Sequence, residues 1–283
     1  SLALLNKVGA EVSVGQAIGM RDETAAKGFA THNITLSLLI SAIWASILFL
    51  LATPIISIYE LESHIADHAT TYLRIVSTAF PFVFMSAAFT GIFNAGGRSK
   101  IPFTINGIGL AINMILDPLF IFVFDWDTNG AAWATWIAQA CVFTLFIHQL
   151  KFKKILWDDF RFFGRLKKLY TTKIFKIGLP VATLNALFAF VNMFLGRTAS
   201  TVGGHIGLMA MTTSGQIEAI TWNTSQGFST ALSAFVAQNY AAGKITRVMK
   251  ALKSTLFMTL IFGTCCSLLF IFCGNNIFAI FVP

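Results

Sequence analysis

Again and again this chain runs apolar for longer than a bilayer is thick. From Ile101 to Phe124 it carries one charge, Asp117, and about 20 apolar residues suffice for a helix to cross the hydrocarbon. Stretches of the same kind cover residues 36–58, 70–95, 130–150, 174–200, 208–240 and 252–282, and residues 1–20 read as the second part of another. Inside a bilayer every backbone polar group needs an internal partner, which leaves helices or a closed barrel. The stretch lengths fit helices, so the expected fold is all-α, a polytopic membrane bundle. Phe accounts for 29 of 283 residues and charged residues for only 11%, against about 25% in a soluble domain. A soluble class is excluded on that ground.

The net charge of +8 does not point to nucleic acid, because the charges sit between the apolar stretches. One set of loops holds Arg21 and Lys27, Arg98 and Lys100, the run from Lys151 to Lys176, and the run from Lys244 to Lys253. Only Lys7, Arg74 and Arg197 fall outside this set. The alternate loops hold Glu60, Glu62, Asp67, Asp125 and Asp127. Positive charge marks the cytoplasmic side, which places the protein in the cell (inner or plasma) membrane with its basic loops inside. The longest loop, residues 151–176, mixes aromatics with cations and reads either as an interfacial segment on the inner leaflet or as a solvated linker.

An internal repeat divides the chain. VSVGQAIGMRD (12–22), followed by a helix closing in PIISIYE (54–60), parallels FVAQNYAAGK (235–244), followed by one closing in NIFAIFVP (276–283). Gln16 and Gln238 are 222 residues apart, as are Tyr59 and Phe281. Internal symmetry of this kind is common in secondary transporters. It predicts an N-terminal lobe over 1–150, a cytoplasmic linker over 151–173 and part of a second lobe over 174–283. The two lobes should be related by a pseudo-two-fold axis along the membrane normal. On this reading the chain runs from late span two to the end of span nine of a twelve-span parent.

Ionisable and polar groups inside the spans are the candidate site. Asn106, Asn113 and Asp117 share one helix face, and a carboxylate at membrane depth is a functional-site hypothesis by default. The competing reading makes Asp117 a structural cap for the kink at Pro118, which frees the carbonyl of Met114. In the first span, Lys7 and Glu11 are an i, i+4 pair. They read as a neutralised pair facing protein, or Glu11 joins a cation or substrate route. The 208–240 stretch is the least apolar, with Glu218, Trp222, Asn223 and Gln226, and a polar span faces a wet cavity rather than lipid. Glu218 and Trp222 suit a cationic aromatic ligand. Asn185 and Asn192 in the 174–200 stretch face the same choice between cavity and packing. His64 and His68, with Asp67 beside them, are a possible metal pair, but no glutamate motif accompanies them and they read rather as a solvated outer face. Cys141, Cys265, Cys266 and Cys273 show no metal spacing. The sequon at Asn33 lies at a cytoplasmic helix edge and is discounted.

The residues GGRSKIPFTINGIGLAINMILDPLFIF with NGAAWAT (129–135), TYLRI (71–75), IFKIGLP (174–180) and FVAQNYAAGKITRV (235–248) together resemble the multidrug and toxic compound extrusion (MATE) family, closest to its DinF-like branch. The resemblance covers nearly the whole chain in order and spacing. It implies two six-helix lobes around a V-shaped cavity. It also implies efflux of organic, cationic or amphiphilic compounds by alternating access, in exchange for H+ or Na+. A monomer is expected, with no cofactor beyond the coupling ion, small organic substrates and membrane lipid as partners, and no enzymatic activity. The branch's cation site carries over onto Asp117, Asn113, Tyr72 and Thr135, with Na+ at Asp117 as one form. The branch's other key acid belongs to span one, outside these residues. The acid some relatives carry in span seven falls here on Phe188. The alternative within the superfamily is a lipid-linked oligosaccharide flippase, whose cavity is strongly cationic.

Overall fold

In a computed structural model, residues 2–57, 63–153 and 156–281 are described. They form helices α1 (Leu2–Gly19), α2 (Glu23–Leu50), α3 (Ala52–Ser57), α4 (Ser63–Ala95), α5 (Lys100–Pro118), α6 (Asp127–Ile147), α7 (Lys168–Ala241) and α8 (Ile245–Phe281), with no strand among the described residues. Two π-helical turns, Leu119–Val123 and His148–Phe152, extend α5 and α6. Tyr59, Glu60 and Glu62 lie outside the described residues, so the Tyr59–Phe281 half of the repeat is not tested.

Six helical segments are long and apolar enough to cross a membrane: 23–50, 63–95, 100–123, 127–152, 168–204 and 245–274. The chain is a multi-pass membrane protein. Seven full spans were expected; residues 205–241 are helical but too polar to join the six. Helix α2 also begins at Glu23, well before residue 36, because Asp22 caps it by accepting from the Ala25 N–H at 2.8 Å. The stretches over 174–200 and 208–240 are two arms of α7, broken at Gly204, whose φ of 59° and ψ of −148° only glycine adopts freely.

Helix α1 is the axle of the molecule. It packs against α2 and α4 on one side and both arms of α7 on the other. Lipid offers no hydrophobic drive between helices, so small residues that let backbones approach do the packing. A Cβ on Gly91 would strike the Lys7 carbonyl, one on Gly178 the Leu5 carbonyl, and one on Gly19 the Gln238 carbonyl. Between α4 and α6 lies an aromatic core of Phe89, Phe93 and Phe146, all fully buried, with Phe89 and Phe146 centroids 5.7 Å apart.

The basic loops meet at one end. Gly19 abuts Ala241 there, and Gly96 abuts Leu156. The segment before α7 straps onto α2. Thr31 donates to the Arg161 carbonyl at 2.6 Å, Thr35 accepts from the Gly164 N–H at 3.4 Å, and Trp157 is buried. Lys27 beside Asp159 holds that carboxyl below the usual range through a charged hydrogen bond. Phe163 and the cations Arg161, Arg165 and Lys167 stay outward.

The repeat is written into the backbone. After α1, the N–H groups of Met20, Arg21 and Asp22 donate to the carbonyls of Gln16, Ile18 and Ala17, each at 3.0 Å. After α7, those of Ala242, Gly243 and Lys244 donate to Gln238, Tyr240 and Asn239 at 3.0, 3.0 and 2.8 Å. Every donor and acceptor is displaced by the same 222 residues. Arg21 and Gly243, the paired left-handed residues, have φ of 60° and 72°. The following helices α2 and α8 leave equivalent turns.

Candidate functional site: a carboxylate at an α-to-π junction

Asp117 is the last residue before Pro118 in α5. Proline has no N–H, so the Met114 carbonyl loses its α-helical donor. The helix answers by widening: the next turn is π-helical, with Phe124 N–H donating to the Leu119 carbonyl at 3.0 Å. Such turns recur at functional sites. Asn113, one turn earlier on the same face, donates to Asp117 Oδ1 at 3.3 Å and approaches Thr135 Oγ1 of α6 at 3.5 Å. All three side chains are half-buried.

Two glycines bring α6 close enough. A Cβ on Gly130 would lie 2.8 Å from the Phe120 carbonyl carbon, and one on Gly109 would strike Val142. Helix α6 therefore presses on the π turn at one point and on α5 at the other, with Thr135 between. Asp117 brings charge, while Asn113 and Thr135 bring neutral oxygens, a donor set suited to a hard cation or a shared proton.

Tyr72 does not join this group by a hydrogen bond among the described residues, and it is 38% exposed. It sits one turn below His68 on α4. His68 Nε2 lies 3.3 Å from His64 Nε2, and its Nδ1 lies 3.8 Å from Asp127. No group of three or more metal-binding side chains occurs among the described residues. The free cysteines likewise make no cluster. Asn33 is fully buried inside α2, which closes it to glycosylation.

A cavity of about 960 Å³ separates the two lobes. Asn223 and Gln226 from the second arm of α7 form one wall, and Asn106, Lys100 and Phe103 of α5 form the other, with Lys7 and Asn94 between them. None of the lining residues is Asp or Glu. Gly227 and Ala231, also in the wall, are the 222-residue counterparts of Leu5 and Gly9. Those two carry the first arm of α7, with Ile174 2.9 Å from where a Gly9 Cβ would be.

The other polar residues of α7 lie elsewhere. Glu218 faces a separate cavity of about 610 Å³ against α8, beside Cys266 and Ser267. Trp222 packs on Phe188, ring centroids 5.7 Å apart, and joins the two arms. Asn185 donates to its own helix at Val181, 2.9 Å, and Asn192 is exposed. Glu11 is not ion-paired with Lys7: no such pair occurs within 4 Å among the described residues. The Glu11 carboxylate is buried and accepts from Asn94 of α4 at 3.5 Å.

Comparison with known proteins adds the following. The family model MatE matches residues 1–119 and 180–283. The chain is 24% identical over 294 residues to the probable multidrug resistance protein YoeA of Bacillus subtilis, covering 97% of this chain and 60% of that protein. It is 24% identical over 276 residues to the probable multidrug resistance protein NorM of Thermotoga maritima, covering 90% and 55%. A crystal structure of MATE in complex with MaD3S superposes with a TM-score of 0.90 at 19% identity, over 98% of this chain and 62% of that one. The chain thus spans about 60% of the length of the relatives it matches.

Proposed function

Starting from the fact that the chain belongs to the MatE family, whose members are transporters and not enzymes, we propose that it is the greater part of a secondary antiporter. Such a protein exports organic amphiphilic compounds, cationic ones included, by alternating access in exchange for H+ or Na+. The relatives' names speak of multidrug resistance, and that is the activity carried over here. One observation carries the reading: Asn113 bridges Asp117 and Thr135 across α5 and α6, at the junction where α5 turns π-helical. A carboxylate flanked by neutral oxygens is a group that can hold a cation. Its charge change acts at the one place where α5 already departs from α geometry. Tyr72 serves as an outlying member of the site. Asn223 and Gln226 offer polar contacts to a substrate in the cavity, with Trp222, Glu218, Asn185 and Asn192 in the surrounding arms of the second lobe.

Coupling of this kind is reciprocal: substrate weakens cation binding by the factor that cation weakens substrate binding. In the protein expressed in full from its natural gene and reconstituted in vesicles, Asp117→Asn keeps the fold, because Asn is nearly isosteric, and abolishes gradient-driven dye efflux. Normal efflux by a well-expressed Asp117→Asn protein makes the carboxylate structural and moves the coupling site elsewhere. Running the assay with a sodium gradient alone and a proton gradient alone identifies the ion. A second reading, a lipid-linked oligosaccharide flippase, draws on the cavity's two cations, Lys7 and Lys100, which face no lining carboxylate. Turnover of a lipid-linked sugar without dye efflux selects it.

A further inference from the structure

Glu11 has a position that its sequence context does not announce. Its 222-residue counterpart is Ser233, which lies near the Glu11 carboxylate on the second arm of α7. One turn on, Gly15 meets its own counterpart: the Ala237 Cβ lies 3.0 Å from where a Gly15 Cβ would be. A residue touches its own repeat equivalent only on the symmetry axis. Glu11–Ser233 and Gly15–Ala237 therefore mark the pseudo-two-fold axis between the lobes, and Glu11 is the ionisable group on it.

The surroundings of Glu11 decide which ligand it takes. The residue is 2% exposed, and no cation lies within 4 Å of it among the described residues. Lys7, one turn away on α1, is the charged group whose field reaches it, but Lys7 faces the cavity. Asn94 of α4 offers Glu11 an N–H donor at 3.5 Å, and Ser233 offers a hydroxyl. A metal cation needs several oxygens turned toward it, whereas here a donor faces the carboxylate. With no cation to neutralise it, this buried carboxyl is suited to carry a proton even though the neutral Asn94 donor favours the charged form. Asn94 is also a cavity-lining residue, so when the lobes part, water reaches Glu11 past it. Glu11 is eight residues from the cytoplasmic end of α1 at Gly19, about 12 Å at 1.5 Å per residue. Asp117 is 17 residues from the cytoplasmic end of α5 at Lys100, about 25 Å. The two carboxyls sit at different depths.

The geometry points to Glu11 as a second proton site, separate from the Asp117 group, that latches the two lobes on their pseudo-two-fold axis when protonated and lets go when they part. The latch deepens the transporter reading and rests on it only for its link to export; proton binding by Glu11 does not.

The test has two arms, both on the protein expressed in full and reconstituted in liposomes without sodium. The first is pH-jump infrared difference spectroscopy with no substrate present. Acidification of the native protein should raise a protonated-carboxyl carbonyl band that Glu11→Gln removes and Asp117→Asn leaves in place. Asn94→Leu keeps the carboxyl but takes away its donor, so the same band should shift. A Glu11→Gln spectrum identical to native, or an unshifted band in Asn94→Leu, overturns the assignment. The second arm is ethidium efflux against pH. One coupled proton supports a change of up to about tenfold per pH unit. Glu11→Gln should flatten that dependence while substrate counterflow, which needs no net proton movement, continues. An unchanged pH profile, or loss of counterflow in a well-expressed protein, makes Glu11 a packing residue. If the native protein moves no ethidium, the exporter reading fails while the infrared result still decides the proton site.

Discussion

At the scale of single residues, the site is a matter of which side chains touch. Asn113 is the hinge of the group, since it alone contacts both Asp117 and Thr135. A hydrogen bond to a charged partner contributes about 1.5–3 kcal/mol, and about 1.4 kcal/mol is a factor of ten in affinity. Asn113→Ala should therefore shift the ion concentration for half-maximal efflux roughly ten- to hundredfold, and an unchanged value takes Asn113 out of the group. Tyr72→Phe should leave that concentration within about twofold, because its hydroxyl makes no bond to the group; a larger shift places Tyr72 inside the site. Helical spacing was enough to align Asn113 with Asp117 in the sequence. Thr135 came from likeness to a family, since nothing local to NGAAWAT says which helix it will face. Glu11 is visible in the sequence as a charge in an apolar stretch, but helical spacing pairs it with Lys7, four residues back. Only the packing of α1 against α7 turns it toward Ser233 instead.

Elements explain why those residues meet. Gly130 packs on the π turn after α5 and Gly109 packs on α6, and a methyl at Gly130 would press on backbone, which cannot swing aside. Overpacking of this kind costs about 1–3 kcal/mol. Gly130→Ala should lower both thermal stability and cation affinity, whereas Gly107→Ala, on α5 with nothing within 4 Å, should lower neither. Equal effects from the two would show that helix propensity, not close approach, is what these glycines provide. Most helices were legible from apolar run length alone. The exceptions have local causes. Helix α2 starts early because a cap at Asp22 and packing against the strap hold a polar first turn in place, and hydropathy does not see caps. The π turns were not foreseen: Pro118 announces a broken hydrogen bond but not how the helix will absorb it, and no proline precedes the turn at His148.

At the scale of the molecule, two lobes share α1 as a common axle and face each other across the cavity. With the four native cysteines replaced by alanine, Asn223→Cys should react with a water-soluble thiol reagent, and bound dye should slow the reaction. A cysteine there that reacts no faster than one facing lipid on α8 would take this wall out of the transport route. The 222-residue repeat was legible from Gln16 and Gln238, and the matching turn hydrogen bonds give it a backbone meaning. The axis itself was not legible, because it depends on which equivalent residues touch. That symmetry also repeats a packing surface. Leu5 and Gly9 form a seat on α1 that the first arm of α7 occupies, and Gly227 and Ala231 form the matching seat, open to the cavity. A helix resembling residues 174–200 would rest there as naturally as α7 rests on α1. Each turn of a helix about 10 Å wide displaces roughly 400 Å³, so two seated turns would take up most of the 960 Å³. Under the proposed export function, a substrate sharing the chamber with such a helix would have to lie flat or slender beside it.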